Sequence, residues 1–240
     1  KYYSLSPNNS KKTPLNTFSS VFGKSITSLA EDYKFTCITA AMKLGTGLNN
    51  FSLKYPNRYI DVGIAEQHAL TYSSGLSASG IIPVIAIYST FIQRAYDQII
   101  HDLSLQNLPA IICMDRSGLV GNDGPTHHGI FDISFLRPIP NVVITSPKDG
   151  FELHDLIYTA LKSNKVFTIR YGKIETDYAD HYKPKNIPIG KWEKLKDGED
   201  IAIFAVGSMV KTSLEVAIMF EKYDNLKITV YNCRYIKPLD

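Results

Sequence analysis

No apolar run in this 240-residue chain approaches the roughly 20 positions needed to span a bilayer. No membrane segment is therefore expected. Cysteine is scarce. The three present, Cys37, Cys113 and Cys233, are scattered and odd in number, which argues against a disulfide framework or a cysteine metal site. Cys37 and Cys113 sit in apolar, strand-like runs and read as buried thiols, which fits a reducing compartment. Net charge is only +3 with histidine neutral. With no basic stripe interleaved with aromatics, nucleic acid is not an expected partner. The polar, basic start, 1–16, lacks the apolar core of a secretory signal and reads, to residue 17, as a linker or leader. The chain stops at Pro238-Leu239-Asp240 without a cap or polar tail, so both ends look cut. Internal repeats and low-complexity segments are absent too.

What remains is ordinary for a globular protein with a sizeable core: 44% hydrophobic and 20% charged residues. Strand-like runs are expected over 35–39, 58–62, 83–88, 110–114, 142–145 and 166–171. Helical spacing is expected over 18–30, 64–79, 91–106 and 151–161. Ser89 and Thr90 are suited to cap the helix at 91. Strands alternating with helices, and apolar almost throughout, predict a parallel α/β sheet covered on both faces. The polar stretch 175–188, with Pro184 and Pro188, reads as an interdomain linker. A strand–helix–strand unit follows over 201–206, 210–220 and 227–233. It is too small to bury itself alone.

The stretch Asp61-Val62-Gly63-Ile64-Ala65-Glu66-Gln67-His68-Ala69 places Glu66 in a first helical turn after a strand. In open α/β sheets that corner is where ligands bind. An acid there can equally just complement the helix dipole. Leu44-Gly45-Thr46-Gly47-Leu48 lacks the third glycine of a dinucleotide fingerprint. Its small residues fit a tight loop or a close backbone approach. The loop from Asp115 to Gly129 combines four glycines, Arg116, Asp123 and the adjacent His127 and His128. Such groups hold anions or move protons. Each histidine can also be merely structural, and no third ligand at zinc spacing accompanies them. Tyr88, Phe91 and Arg94 can share a face, either as core or as a wall on which a flat heterocycle stacks. Arg170 ends an apolar strand and needs a partner if buried, a substrate phosphate being one candidate.

These motifs, with Ile87-Tyr88-Ser89-Thr90-Phe91-Ile92-Gln93-Arg94-Ala95-Tyr96-Asp97-Gln98 and Thr168-Ile169-Arg170-Tyr171, occur in an order that resembles the 1-deoxy-D-xylulose-5-phosphate synthase family from about residue 18 to the end. The resemblance implies a thiamine-diphosphate-binding fold. Residues 18–182 would be the pyrimidine-binding domain and 189–240 the start of a transketolase C-terminal α/β domain. It further implies condensation of pyruvate with D-glyceraldehyde 3-phosphate in non-mevalonate isoprenoid synthesis. By the same resemblance Glu66 is the cofactor-activating glutamate, with Ile64 and Phe91 at the cofactor. Tyr88, Arg94, Arg116, Asp123, His127 and Arg170 would line the substrate channel. Arg116 and Arg170 would hold the triose phosphate, and His127 would move a proton or orient the bound intermediate.

Two departures stand out. The family continues its Arg-Tyr pair with Pro-Arg-Gly, whereas here Gly172-Lys173-Ile174 follows. The family's Gly-Asp-Gly…Asn motif, which holds the diphosphate through Mg²⁺, does not occur in these residues. That implies an N-terminal diphosphate-binding domain elsewhere in the same protein or in a separate chain, and an inactive chain without it. A homodimer, in the cytoplasm or in a plastid-type organelle, is the implied setting. The alternatives are a 2-oxo-acid dehydrogenase β-type subunit, a transketolase, or a non-catalytic module that kept the fold.

Overall fold

The computed structural model describes residues 16–240. Apart from its last two residues, the expected leader over 1–17 lies outside the described residues. Of those two, Thr17 caps the first helix, and Thr17 and Ser20 hold each other in a reciprocal capping box.

In chain order the elements are α1 (Phe18–Leu29), β1 (Phe35–Thr39), α2 (Asn49–Lys54), β2 (Tyr59–Asp61), α3 (Glu66–Ala78), β3 (Ile82–Tyr88), α4 (Tyr96–Gln98), β4 (Ala110–Asp115), α5 (Asp132–Leu136), β5 (Val142–Thr145), α6 (Gly150–Ser163), β6 (Val166–Arg170), β7 (Glu193–Lys196), β8 (Ile201–Ala205), α7 (Met209–Asp224), β9 (Ile228–Asn232) and β10 (Tyr235–Lys237). Seven strands form one sheet in the order β10-β5-β6-β4-β3-β1-β2. All its pairs are parallel except β10 with β5. No helix among the described residues is long and apolar enough to cross a membrane.

Alternation along each strand feeds two cores. Cys37, Val84, Ile111 and Phe167 face α1 and α6, through Phe18, Phe22, Ile26, Leu153 and Ile157. Ile38, Ile85, Ile112 and Ile144 face the other way, toward Leu70, Ile99 and Leu103. Covering both faces is what makes these strands read as unbroken apolar runs. Each large side chain so buried contributes about 1.5–3 kcal/mol.

Two expectations are corrected. The segment over 91–106 is not one regular helix. It is a 3₁₀ stretch (Phe91–Ala95), a single α turn, α4, and a π turn (Ile99–Ser104). This winding buries Ile92, Ala95, Ile99 and Leu103 completely. Neither Ser89 nor Thr90 caps it; the Ser89 hydroxyl donates instead to Asp132 at 3.0 Å. The stretch over 175–188 has no regular structure, yet it is strapped to α6. Tyr182 meets Phe151 edge-on at 5.0 Å, and the Ile187 amide donates to Thr159 at 2.9 Å.

The last unit holds more than one strand–helix–strand pass. β7 joins β9 and β8 in a three-stranded sheet. β10 then crosses back to pair antiparallel with β5. Buried Glu152 of α6 secures this crossing, accepting from Asn232 at 2.8 Å and lying 3.4 Å from Arg234.

Candidate active site

The parallel strands end on one edge of the large sheet, and most of the chemistry-bearing side chains gather there. Tyr88 ends β3, Asp115 ends β4 and Arg170 ends β6. The backbone ties two of these ends together, because the Ser89 amide donates to the Asp115 carbonyl at 2.7 Å.

The centre is a column of rings and charge. The rings of Tyr88 and Phe91 are stacked with centroids 5.9 Å apart. The Arg116 guanidinium lies 3.9 Å from the Tyr88 centroid, within cation–π range. His127 meets Phe91 edge-on at 5.3 Å. Its neighbour His128 points elsewhere and accepts from the Val120 amide at 3.2 Å. Adjacent histidines thus serve different places, and only His127 joins the column.

Arg116 is held unusually firmly. Its φ is +60°, a left-handed conformation that costs a residue with a Cβ about 1–2 kcal/mol. Its amide donates to Asp115 at 2.7 Å and its Nη1 to the Gly45 carbonyl at 2.6 Å. Gly45 can come that close because it has no side chain: a Cβ there would sit 1.7 Å from the Tyr88 hydroxyl. The glycines of this segment therefore serve close backbone approach.

The loop after β4 is closed on itself. Gly118 and Gly129 exchange backbone hydrogen bonds at 2.7 and 2.9 Å. Asp123, within it, pairs with Lys173 at 2.6 Å and lies 3.6 Å from Arg116. Burial pushes the Asp123 carboxyl up, but its hydrogen bond to Lys173 and the neighbouring positive charges prevail and hold it below the usual range. For Asp115, fully enclosed at the strand end, burial wins over Arg116 and Ser19 and raises the carboxyl to about 6.

Glu66 is the first residue of α3 and only 2% exposed. Its Oε2 has no hydrogen-bond partner and lies 3.8 Å from Arg94 Nη1. Arg94 and Phe91 are three residues apart in a 3₁₀ stretch, where such positions eclipse. That places the Glu66–Arg94 pair beside the ring column. Arg170 stands in a third group, donating from Nε to Asp132 at 2.9 Å. Ile64 is not drawn in: it is 78% exposed on the bend before α3.

Sequence reasoning missed Asp115 as a buried charge, along with Asp132, and read Ser89 only as a cap. An acid closing an otherwise apolar strand was the available signal for Asp115. Lys173 had been noted only as a departure. Among the described residues no cluster of histidine, cysteine or carboxylate side chains could hold a metal ion.

Comparison with known proteins places these features in context. Residues 17–177 match the family "Transketolase, pyrimidine binding domain", and residues 190–240 match "Transketolase, C-terminal domain". The chain is 51% identical to 1-deoxy-D-xylulose-5-phosphate synthase of Aquifex aeolicus, over 96% of this chain and 37% of that protein. It is 48% identical to the enzyme of the same name from Dictyoglomus thermophilum, over 100% of this chain and 39% of that protein. The chain thus spans less than two fifths of the length of these relatives. Among solved structures, one described as a split-gene transketolase in an inactive β4 tetramer superposes with a TM-score of 0.82 at 26% identity, covering 93% of this chain and 73% of that one. A transketolase from Campylobacter jejuni shares the fold, with a TM-score of 0.81 at 20% identity over 95% of this chain and 37% of its own.

Proposed function

The chain belongs to the family of transketolase pyrimidine-binding domains, and we propose that it supplies the pyrimidine-binding half of a 1-deoxy-D-xylulose-5-phosphate synthase. The reaction is condensation of pyruvate with D-glyceraldehyde 3-phosphate, with loss of carbon dioxide. The observation that carries this reading is Glu66, whose buried Oε2 has no hydrogen-bond partner at the ligand-binding edge of a parallel sheet.

The residues fit thiamine diphosphate at its aminopyrimidine end. Glu66 Oε2 would take the ring nitrogen N1′, and the Phe91 ring would cover the ring face, with Ile64 at the border. When bound, the cofactor supplies the electron sink that decarboxylation of a 2-oxo acid requires. The fit does not extend to the diphosphate and its Mg²⁺, because the Gly-Asp-Gly…Asn motif that holds them in the resembled family does not occur in this sequence. We assign that part to residues outside these 240, in the same protein or in another chain.

Arg116 and Arg170 would bind the triose phosphate, since a guanidinium presents paired donors to phosphate oxygens. Tyr88, Arg94 and Asp123 would line the approach. His127, edge-on to Phe91, would exchange a proton with a substrate hydroxyl or orient it. The complete enzyme would act as a homodimer.

The synthase reading is favoured over transketolase by its higher identity, 51% against 26%. The test is an assay with thiamine diphosphate, Mg²⁺, pyruvate and D-glyceraldehyde 3-phosphate, with and without the diphosphate-binding part. Carbon dioxide and 1-deoxy-D-xylulose 5-phosphate are expected only when both parts are present. Transfer from a ketose phosphate donor instead, without carbon dioxide, would favour a transketolase.

A further inference from the structure

Each of the two arginines assigned to the substrate phosphate is backed by a buried aspartate, and each aspartate is in turn held by a serine. Asp132 is 1% exposed. Its Oδ2 accepts from Arg170 Nε at 2.9 Å and from Ser89 Oγ at 3.0 Å, and its Oδ1 accepts from the Ile133 amide at 2.9 Å. Asp115 is fully buried. Its Oδ2 accepts from Ser19 Oγ at 2.6 Å, and its Oδ1 accepts from the Arg116 amide at 2.7 Å and lies 3.1 Å from Arg116 Nη1. The two assemblies are joined through the Ser89 amide, which donates to the Asp115 carbonyl at 2.7 Å.

Stability alone gives little reason for this arrangement. A buried ion pair often does no better than apolar residues of the same volume. Its geometry has another consequence. Asp132 occupies only the Nε of Arg170. No hydrogen bond from either Nη nitrogen is found among the described residues. Arg116 spends Nη1 on Asp115 and Gly45, its buried Nε faces Asp123 Oδ2 at 3.6 Å, and its Nη2 makes no hydrogen bond among the described residues. Each guanidinium is therefore gripped on one side and left with unspent donors on another, with its plane already fixed.

We propose that Asp115 and Asp132 are positioning residues, which preset Arg116 and Arg170 to receive the phosphate group of the acceptor substrate. The proposal rests on the assignment of those arginines to the substrate phosphate. Ser19 and Ser89 complete the device by fixing the orientation of each carboxylate.

A double-mutant cycle in the complete enzyme tests it, because residues that act through one another give non-additive effects. Asp132→Asn is expected to raise the KM for D-glyceraldehyde 3-phosphate about ten-fold, the order of loss that follows from misplacing a binding group. The KM for pyruvate should stay within about two-fold, since an acceptor-side arginine is the group disturbed. The inhibition constant for inorganic phosphate should rise in parallel with the first. In an Arg170→Ala background the same change should add nothing. Asp115→Asn with Arg116→Ala should behave alike. Where an aspartate variant fails to fold, Ser89→Ala or Ser19→Ala replaces it in the cycle. An effect that persists undiminished without the arginine overturns the positioning role, as does an aspartate variant with unaltered phosphate affinity. If the single arginine variants themselves leave phosphate affinity unchanged, the substrate assignment falls and this proposal falls with it. That outcome is visible before any aspartate is touched.

Discussion

Glu66 Oε2 and Arg94 Nη1 stand 3.8 Å apart, with the acid buried and the arginine side chain 59% exposed. The separation suits an ion pair but is too long for a hydrogen bond. The carboxylate oxygen therefore keeps its accepting capacity unspent inside the fold. Leaving a buried polar atom unbonded costs about 1–3 kcal/mol. A first-turn acid needed only for the helix dipole would gain about 0.3–1 kcal/mol and could do so at the surface. Burial without a hydrogen bond is what a ligand-facing acid looks like before the ligand arrives.

Arg116→Ala in the complete enzyme is expected to raise the KM for D-glyceraldehyde 3-phosphate well above any change for pyruvate. Loss of a charge-assisted hydrogen bond sets the scale at roughly 1.5–3 kcal/mol. Steady-state kinetics with each substrate varied in turn decides it. Equal effects on both would refute a phosphate role.

Asp115 gives a pH signature. Its carboxyl is raised from 3.8 to about 6 in the fold, so the folded state holds the proton more tightly than the unfolded chain. The stabilising contribution is complete below pH 3.8 and is lost as pH rises through about 6. Between about pH 4 and pH 7, wild type should therefore lose on the order of 3 kcal/mol relative to Asp115→Asn, which cannot titrate there. Urea unfolding of both proteins across this range measures the difference. A difference independent of pH would contradict the assignment.

Glu152 should matter for stability rather than chemistry. It accepts from the Lys148 amide at 2.7 Å and from Asn232 at 2.8 Å, and it pairs with Arg234 where the chain crosses back to the large sheet. Glu152→Ala leaves those groups short of a buried partner and is expected to cost about 3–5 kcal/mol. Denaturant unfolding reads it, and a loss under about 1 kcal/mol would mean the cluster behaves as an exposed one.

How far the sequence could be read depended on whether a residue's surroundings were local. β1 was legible because all five of its residues are buried and its sequence is mostly apolar. The segment over 91–106 misled because Ile92, Ala95, Ile99 and Leu103 fall at spacings of three and four, which an α-helix satisfies as well as the 3₁₀ and π turns found. β7 was invisible: its Glu-Lys-Leu-Lys sequence becomes a strand only through pairing with β9. β10 is three residues long and pairs with a strand some ninety residues earlier. At the site, Tyr88 with Phe91, and Arg116 with Asp123 and His127, were read as two groups joined only by resemblance, and the fold brings the two side by side. Asp132 was not read, because nothing local marks an acid whose partners, Ser89 and Arg170, come from two other elements. Ile64 was placed at the cofactor by resemblance alone, and its 78% exposure leaves it open to a ligand.

The most direct test of the central claim is turnover by Glu66→Ala in the complete enzyme, measured with its thermal unfolding. The substitution removes a buried oxygen that has no hydrogen-bond partner, so the unfolding temperature should stay the same or rise. Turnover should be abolished at saturating thiamine diphosphate and Mg²⁺. Wild-type turnover in a folded Glu66→Ala enzyme would contradict the account.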